Sequence, residues 1–166
     1  MKTELDIKIT AKDLYIFNLT QAYKGMQGIL SIVLPVLVFA YAYASIGKAS
    51  TESILVYVVL GVVFLVYVPI SLWLRVNKIM KDATNPLTKT LHYTFEEECI
   101  GVSVGEESVD FQWNNIYQMK TTGKHLLIYT NRINAYIIPL EQVGEKYSDL
   151  SKLAHSKLEK HRIQMK

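Results

Sequence analysis

The sequence predicts a membrane protein of mixed α and β class: a two-helix transmembrane hairpin followed by a small antiparallel β domain that a carboxyl-terminal helix closes. Three observations predict it. Two apolar runs, Gly25–Ile46 and Ser53–Leu74, contain no Asp, Glu, Lys, Arg or His. Short alternating segments separated by turn residues fill most of the chain after Asn85-Pro86. A stretch with apolar residues at helical spacing, Lys146–Arg162, ends that half.

The amino-terminal segment, residues 1–24, has its own order. Leu5, Ile7 and Ile9 alternate with Asp6 and Lys8, as in a half-buried strand. Thr10 reads as an N-cap, with Asp13 three residues on in capping-box fashion, Asp standing for the preferred Glu. Leu14, Tyr15, Phe17, Leu19 and Ala22 then mark an amphipathic helix, Ala11–Lys24. Its apolar side has two destinations open to it, the membrane interface or the soluble domain.

The apolar runs follow, at 25–46 and 53–74. About 20 apolar residues in a helix cross a hydrocarbon core of about 30 Å. Hydrocarbon offers no hydrogen-bond partner, so each run must close its own backbone bonds as a helix. Pro35 and Pro69 lie inside the runs and are expected to kink the helices without breaking them. A pair of buried soluble helices is disfavoured, because the flanking sequence is too short to cover both. A cleaved signal peptide is disfavoured too. Ala40-Tyr-Ala42 and Ala42-Tyr-Ala44 look like cleavage sites, but the run outlasts a usual signal core and structured sequence precedes it.

The connector 47–52 is short enough to join only antiparallel neighbours. Lys8, Lys12 and Lys24 precede the first run, and Arg75, Lys78 and Lys81 follow the second. The connector has Lys48 with Glu52 beside it. The positive flanks place both termini in the cytoplasm and the connector outside. Tyr41, Tyr43, Tyr57, Tyr67 and Trp73 suit interfacial positions, and Ala40 with Ala44 has the spacing of a close helix seam. No ionisable residue lies within either run, so the pair reads as an anchor and not a transport path. Gln27 is the strongly polar side chain at the start of the first run and reads as interfacial. Lone Cys99 fits a reducing compartment.

Residues 75–88 read as a helical extension and linker, stopped at Asn85-Pro86. From 89 to 166 the pattern becomes β. The predicted strands are Thr90–Phe95, Cys99–Val104, Ser108–Trp113, Ile116–Thr121, Leu126–Thr130 and Ala135–Leu140. Glu96-Glu-Glu98, Gly105-Glu-Glu107, Gly123-Lys124 and Asn131-Arg132 turn between them. Tyr147, Leu150, Leu153, Ala154 and Leu158 form the stripe of the last helix. This order suits a pleckstrin-homology-like barrel or sandwich capped by its carboxyl-terminal helix, with the Leu5–Ile9 strand added at its edge.

Particular residues resemble a known family. They are Tyr93-Thr-Phe95-Glu-Glu, the Ile100-Gly-Val strand, Trp113-Asn-Asn-Ile116, the aliphatic Leu126–Tyr129, and Ile137-Ile-Pro139 before the last helix. On these the whole chain resembles the YcxB-like family of bacterial membrane proteins. The resemblance implies a short strand and helix, two transmembrane helices and a carboxyl-terminal domain with a pleckstrin-homology-like fold. Asn114, Leu140 and Val143 depart from the family, which tends to have an acidic residue after the tryptophan, and a basic residue and an aromatic after the proline. The resemblance implies no catalytic residue and no cofactor. The chain is also similar to membrane-bound bacteriocin immunity proteins that pair transmembrane segments with such a domain.

A search for chemistry supports a non-enzymatic reading, with no catalytic, cofactor-binding or metal residue proposed. His92, His125, His155 and His161 are scattered without an H-E-x-x-H or C-x-x-C partner. Glu96, Glu97 and Glu98 lack the alternating ligand positions of a calcium loop and read as a solvated turn. No serine sits in G-x-S-x-G, and Gly101–Gly105 is not a phosphate-binding loop. Trp113 is expected to share a buried face with Val109 and Phe111, against Leu150 or Leu153.

The net charge of +3 is mild. Arg75, Lys78, Lys81, Lys152, Lys157 and Lys160, with Lys89 and Arg162 beside them, are candidate contacts for anionic headgroups, each worth about 1 kcal/mol near a membrane surface. No dense basic patch with interleaved aromatics points to nucleic acid. The expected protein is a multi-pass, membrane-anchored interaction or scaffold module in a bacterial-type cytoplasmic membrane. Its expected partners are the bilayer, a cytosolic protein and a second copy of itself. The alternative is immunity to a bacteriocin or other membrane-active peptide.

Overall fold

The structure, a computed structural model, describes residues 2–165 apart from the side chain of Gln27, so the expectation for that side chain lies outside the described residues. The chain forms two compact units, one from residues up to Leu14 together with those from Lys78 onward, the other Tyr15–Asn77.

The first unit is built on two separate four-stranded sheets, with no closed barrel among the described residues. One sheet runs β1 (Thr3–Ile7), β2 (Leu91–Phe95), β3 (Cys99–Val104), β4 (Glu107–Gln112), antiparallel throughout. The other has the order β7 (Ala135–Pro139), β6 (His125–Tyr129), β5 (Gln118–Thr122), β8 (Ile163–Gln164). Its last pairing, β5 with β8, is parallel. Period-two patterning explains the first sheet. Leu5, Ile7, Leu91, Tyr93, Phe95, Ile100 and Val102 are buried, while Glu4 and Asp6 between them are exposed. In β6 all five residues are buried, the apolar run Leu126–Tyr129 together with His125. Met119, Leu126, Ile128 and Ile138 add to the core, as do Leu150, Leu153 and Ala154 of a helix at Tyr147–Lys157. Each large side chain buried in this way contributes about 1.5–3 kcal/mol. Tyr136 of β7 meets Tyr93 at 6.0 Å and Phe111 at 5.5 Å, both edge-on, and so ties the two sheets together.

Several element ends shift by a residue or two from the sequence-based expectation, and three of the differences have a physical reason in the contacts. The first strand is Thr3–Ile7 and not Leu5–Ile9, because Gln142 takes over the backbone of Lys8. Its Oε1 accepts from the Lys8 N–H and its Nε2 donates to the Lys8 carbonyl, both at 2.9 Å. Trp113 lies outside β4, in a 3₁₀ turn Trp113–Asn115. It is buried as expected, and its indole N–H donates to the Glu96 carbonyl at 3.0 Å. Val109 is not buried beside it but 51% exposed, because β4 ends its sheet. The last helix stops at Lys157, and the tail returns to the sheet as β8. Arg162 holds that return by donating to the carbonyls of Asn114 and Ile116 at 3.2 and 3.4 Å.

The helix α1 spans Ala11–Lys24, the predicted range, and the capping box that starts it is present. Thr10 N–H donates to Asp13 Oδ2 at 2.9 Å, and Asp13 N–H donates to Thr10 Oγ1 at 3.2 Å.

The second unit holds α2 (Met26–Ala44) and most of α3 (Thr51–Lys81). Both helices continue through their prolines, Pro35 and Pro69. Gly28 sits where a Cβ would lie 2.4 Å from the Cα of Tyr23, so only glycine fits at that bend. Gly61 of α3 packs on the ring of Phe39, and Tyr41 meets Tyr57 edge-on at 5.0 Å. The seam on α2 is therefore not the predicted Ala40/Ala44 pair, both of which are exposed. Phe39 and Tyr41 of α2 reach α3, and Pro35 and Ala42 are buried on α2. By length and composition α3 is long and apolar enough to cross a membrane, and its apolar window is only 6% buried. The segments Ala11–Lys24 and Gly28–Ala44, bent by 73°, pass the same test as a pair.

Candidate functional site

The outer face of the β1–β4 sheet is polar, and strand register arranges it in transverse rows. Residues directly opposite in antiparallel strands project to the same face. One row is Asp6, His92, Ser103 and Ser108; the next is Glu4, Thr94, Gly101 and Asp110. Cys99 and Gln112 form the end of a third, beside Glu96 and Lys2. Gly101 lowers the middle of this surface. A Cβ there would stand 3.1 Å from Asp110 Oδ1, so glycine leaves open a shallow groove of about 280 Å³.

The groups around the groove are fixed by local charge pairs. His92 Nδ1 lies 2.7 Å from Asp6 Oδ1, and Lys2 reaches Glu4 at 2.8 Å and Glu96 at 3.6 Å. The lysine–carboxylate hydrogen bond raises the Lys2 pKa and lowers that of Glu4. Cys99 is no activated nucleophile. Burial pushes its thiol pKa up, and Asp110, Glu96 and Glu98 push it further the same way. Among the described residues, no three His, Cys, Asp or Glu side chains converge on a metal position.

A second arrangement joins α1 to β6. His125 Nε2 donates to Asp13 Oδ1 at 2.7 Å. Asp13 thus uses one carboxylate oxygen to cap its own helix and the other to hold a histidine. Burial acts to raise the Asp13 pKa, but the bonds from His125 and Thr10 outweigh it and hold the carboxyl below its ordinary range. The sequence signal for this was half visible. Asp13 reads as a cap, whereas nothing in the spacing of His125 marks its partner.

Residues 95–154 match the YcxB-like protein family. The YcxB-like segment runs from the last residue of β2 into the final helix, so it contains β3 to β7 and the β4 side of the groove. The resemblance drawn from the sequence is shown over that segment. No curated protein and no solved structure matches the chain. β1, α1 and the apolar helices lie outside the YcxB-like match, as do Asp6 and Asp13, which pair with His92 and His125.

The basic residues singled out from the sequence come from two stretches of the chain. Arg75, Lys78 and Lys81 are exposed at three-residue spacing along the end of α3. Lys152, Lys157 and Lys160 are exposed near the carboxyl terminus, with Lys152 3.8 Å from Asp149. Lys152 and Lys157 are five residues apart on one helix, so they point roughly 140° apart. Arg162 has a structural task at Asn114 and Ile116. What sequence reasoning missed is the open β4 edge. Alternation gave Val109 a buried face, and only strand order shows that no neighbour lies beyond it.

Proposed function

We propose that the chain is a two-span, membrane-anchored interaction module whose β unit works in the cytoplasm. One observation carries this reading: β1 precedes both apolar helices, yet it is a full antiparallel partner of β2, which follows them. Thr3 pairs with Phe95, Leu5 with Tyr93 and Ile7 with Leu91. Lys146 and Gln142 stitch the same segment to the carboxyl-terminal half. A strand cannot pair across a bilayer, so both ends of the chain lie on one side and the chain crosses an even number of times. If α3 crosses, α2 must cross back, and the connector 47–52 lies on the far side. The Phe39–Gly61 and Tyr41–Tyr57 contacts suit such an antiparallel pair. Basic residues on both outer flanks then orient the pair with its termini inside. The spans carry no ionisable group, so the module's work falls to the β unit and its open edge.

The test is labelling in intact cells with a membrane-impermeant thiol reagent. Ser50→Cys in a Cys99→Ser background should be modified without opening the cells, and native Cys99 only after permeabilisation. Labelling of Cys99 from outside, with Ser50→Cys protected, would overturn the orientation; equal access of both from one side would overturn the crossings.

A further inference from the structure

Sheet edges are normally blocked, because their free N–H and C=O groups invite another strand. This unit blocks its other edges visibly. On the β1 edge, Lys146 Nζ donates to the Glu4 carbonyl at 2.8 Å, and Gln142 occupies the backbone of Lys8. The second sheet ends on one side in the two-residue β8 and on the other in β7, which contains Pro139. β4 has no such protection. It holds no Pro and no Lys, and it is six residues long.

The geometry of its hairpin says which groups are free. Gly105 has φ +61° and Glu106 is not at positive φ, which makes the two-residue turn type II′. Val104 and Glu107 close that turn as a hydrogen-bonded pair, and such pairs alternate along an antiparallel ladder. The backbone groups of Glu107, Val109 and Phe111 are therefore spent on β3, and those of Ser108, Asp110 and Gln112 point outward. Among the described residues no hydrogen bond from beyond β3 reaches them.

We infer that β4 accepts an extended, alternating basic and apolar segment of a partner protein as a fifth strand of this sheet. The inference deepens the interaction-module reading and rests on it. The side chains support the choice of partner. Val109 lies on the core side of the sheet, opposite buried Val102, yet is 51% exposed, so an apolar residue of an added strand would complete its cover. Asp110 lies on the outer face of β4, while Lys2 at the groove pairs with Glu4 and Glu96. A basic residue on that side of the added strand meets the Asp110 carboxylate. A second copy of the chain is the poorer occupant, since pairing two β4 strands brings Glu107 and Asp110 of both copies to one seam.

The experiment uses the full chain in detergent and a synthetic peptide of alternating lysine and valine, read by fluorescence anisotropy. The controls are a peptide with the same residues in two blocks and an alternating peptide N-methylated on its strand-pairing amides. The alternating peptide should bind, and both controls should bind at least about tenfold more weakly, as expected when main-chain bonds carry the affinity. Asp110→Lys should weaken binding by a similar factor. Asp110→Pro removes an outward N–H without touching the β3 ladder, and should abolish binding while circular dichroism and the thermal midpoint stay near those of the parent chain. Equal binding of all three peptides, unchanged binding to folded Asp110→Pro, no binding at all, or concentration-dependent dimerisation lost in Asp110→Pro would each overturn the inference. A failed peptide experiment with the expected Ser50→Cys and Cys99 labelling removes the docking edge alone; reversed labelling removes the cytoplasmic module itself.

Discussion

Asp13 and His125, 112 residues apart in sequence, share a 2.7 Å hydrogen bond with side chains only 15% and 6% exposed. The bond fixes the first turn of α1 to β6. It makes the start of the helix that leads toward the apolar segments part of the β unit's own framework.

That relationship predicts a stability cost. Asp13→Ala removes the carboxylate half of the capping box, worth up to about 1 kcal/mol, and leaves a buried imidazole N–H without its acceptor, worth a further 1–3 kcal/mol or so. His125→Leu should cost less than Asp13→Ala, because the carboxylate keeps its two bonds from Thr10. The double variant should be less destabilised than the sum of the singles. Denaturant unfolding in detergent, followed by the emission of buried Trp113, measures all three. Additive losses would mean that the two side chains do not act together.

The same carboxylate predicts an acid limb. The folded-state pKa of Asp13 lies below its ordinary value of 3.8. Its contribution is present above that value and is lost as pH falls through the lower, folded one, because the unfolded chain takes up the proton first. The unfolding midpoint of the native chain should therefore fall more steeply below about pH 4 than that of Asp13→Asn. Parallel curves would remove Asp13 as the cause.

Tyr93 predicts the opposite limb. Burial raises its phenol pKa, and Tyr136 adds to the shift. A raised value means that the unfolded chain ionises first, so stability is full below the ordinary tyrosine pKa near 10 and falls as pH rises beyond it. Tyr93→Phe keeps the ring that stacks with Phe95 and meets Tyr136. It should blunt the alkaline loss of stability while changing the midpoint at neutral pH by less than about 1 kcal/mol. An unchanged alkaline limb would assign that loss to other groups.

The contrast between what the sequence disclosed and what it concealed follows from range. The Thr10/Asp13 cap is local, so α1 begins where predicted. The apolar runs are marked by what they lack, and alternation in Leu91–Phe95 and Cys99–Val104 needs no distant partner. Each miss depends on a neighbour far along the chain. β8 exists only because Ile163 meets Met119. Ile9 drops out of the first strand because Gln142 claims the backbone of Lys8. Ala42 rather than Ala40 or Ala44 faces inward because the position of α3 decides which stripe of α2 is covered, and two uniformly apolar helices carry no pattern to say so. His125 looked idle because its acceptor lies at the other end of the sequence.

The α2–α3 contact yields the last prediction. A Cβ on Gly61 would stand 2.7 Å from the Phe39 ring. Gly61→Ala asks only the far end of that ring to move, whereas Gly61→Leu must push the helices apart at an overpacking cost of about 1–3 kcal/mol. Phe39→Ala together with Gly61→Leu should recover part of the loss, because the enlarged side chain then has somewhere to go. Thermal unfolding in detergent with circular dichroism checks the series, with the order native, Gly61→Ala, double variant, Gly61→Leu expected from most to least stable. Equal midpoints for Gly61→Leu and the native chain would mean that the helices do not meet at this position, and the antiparallel pair would have to be rebuilt around another seam.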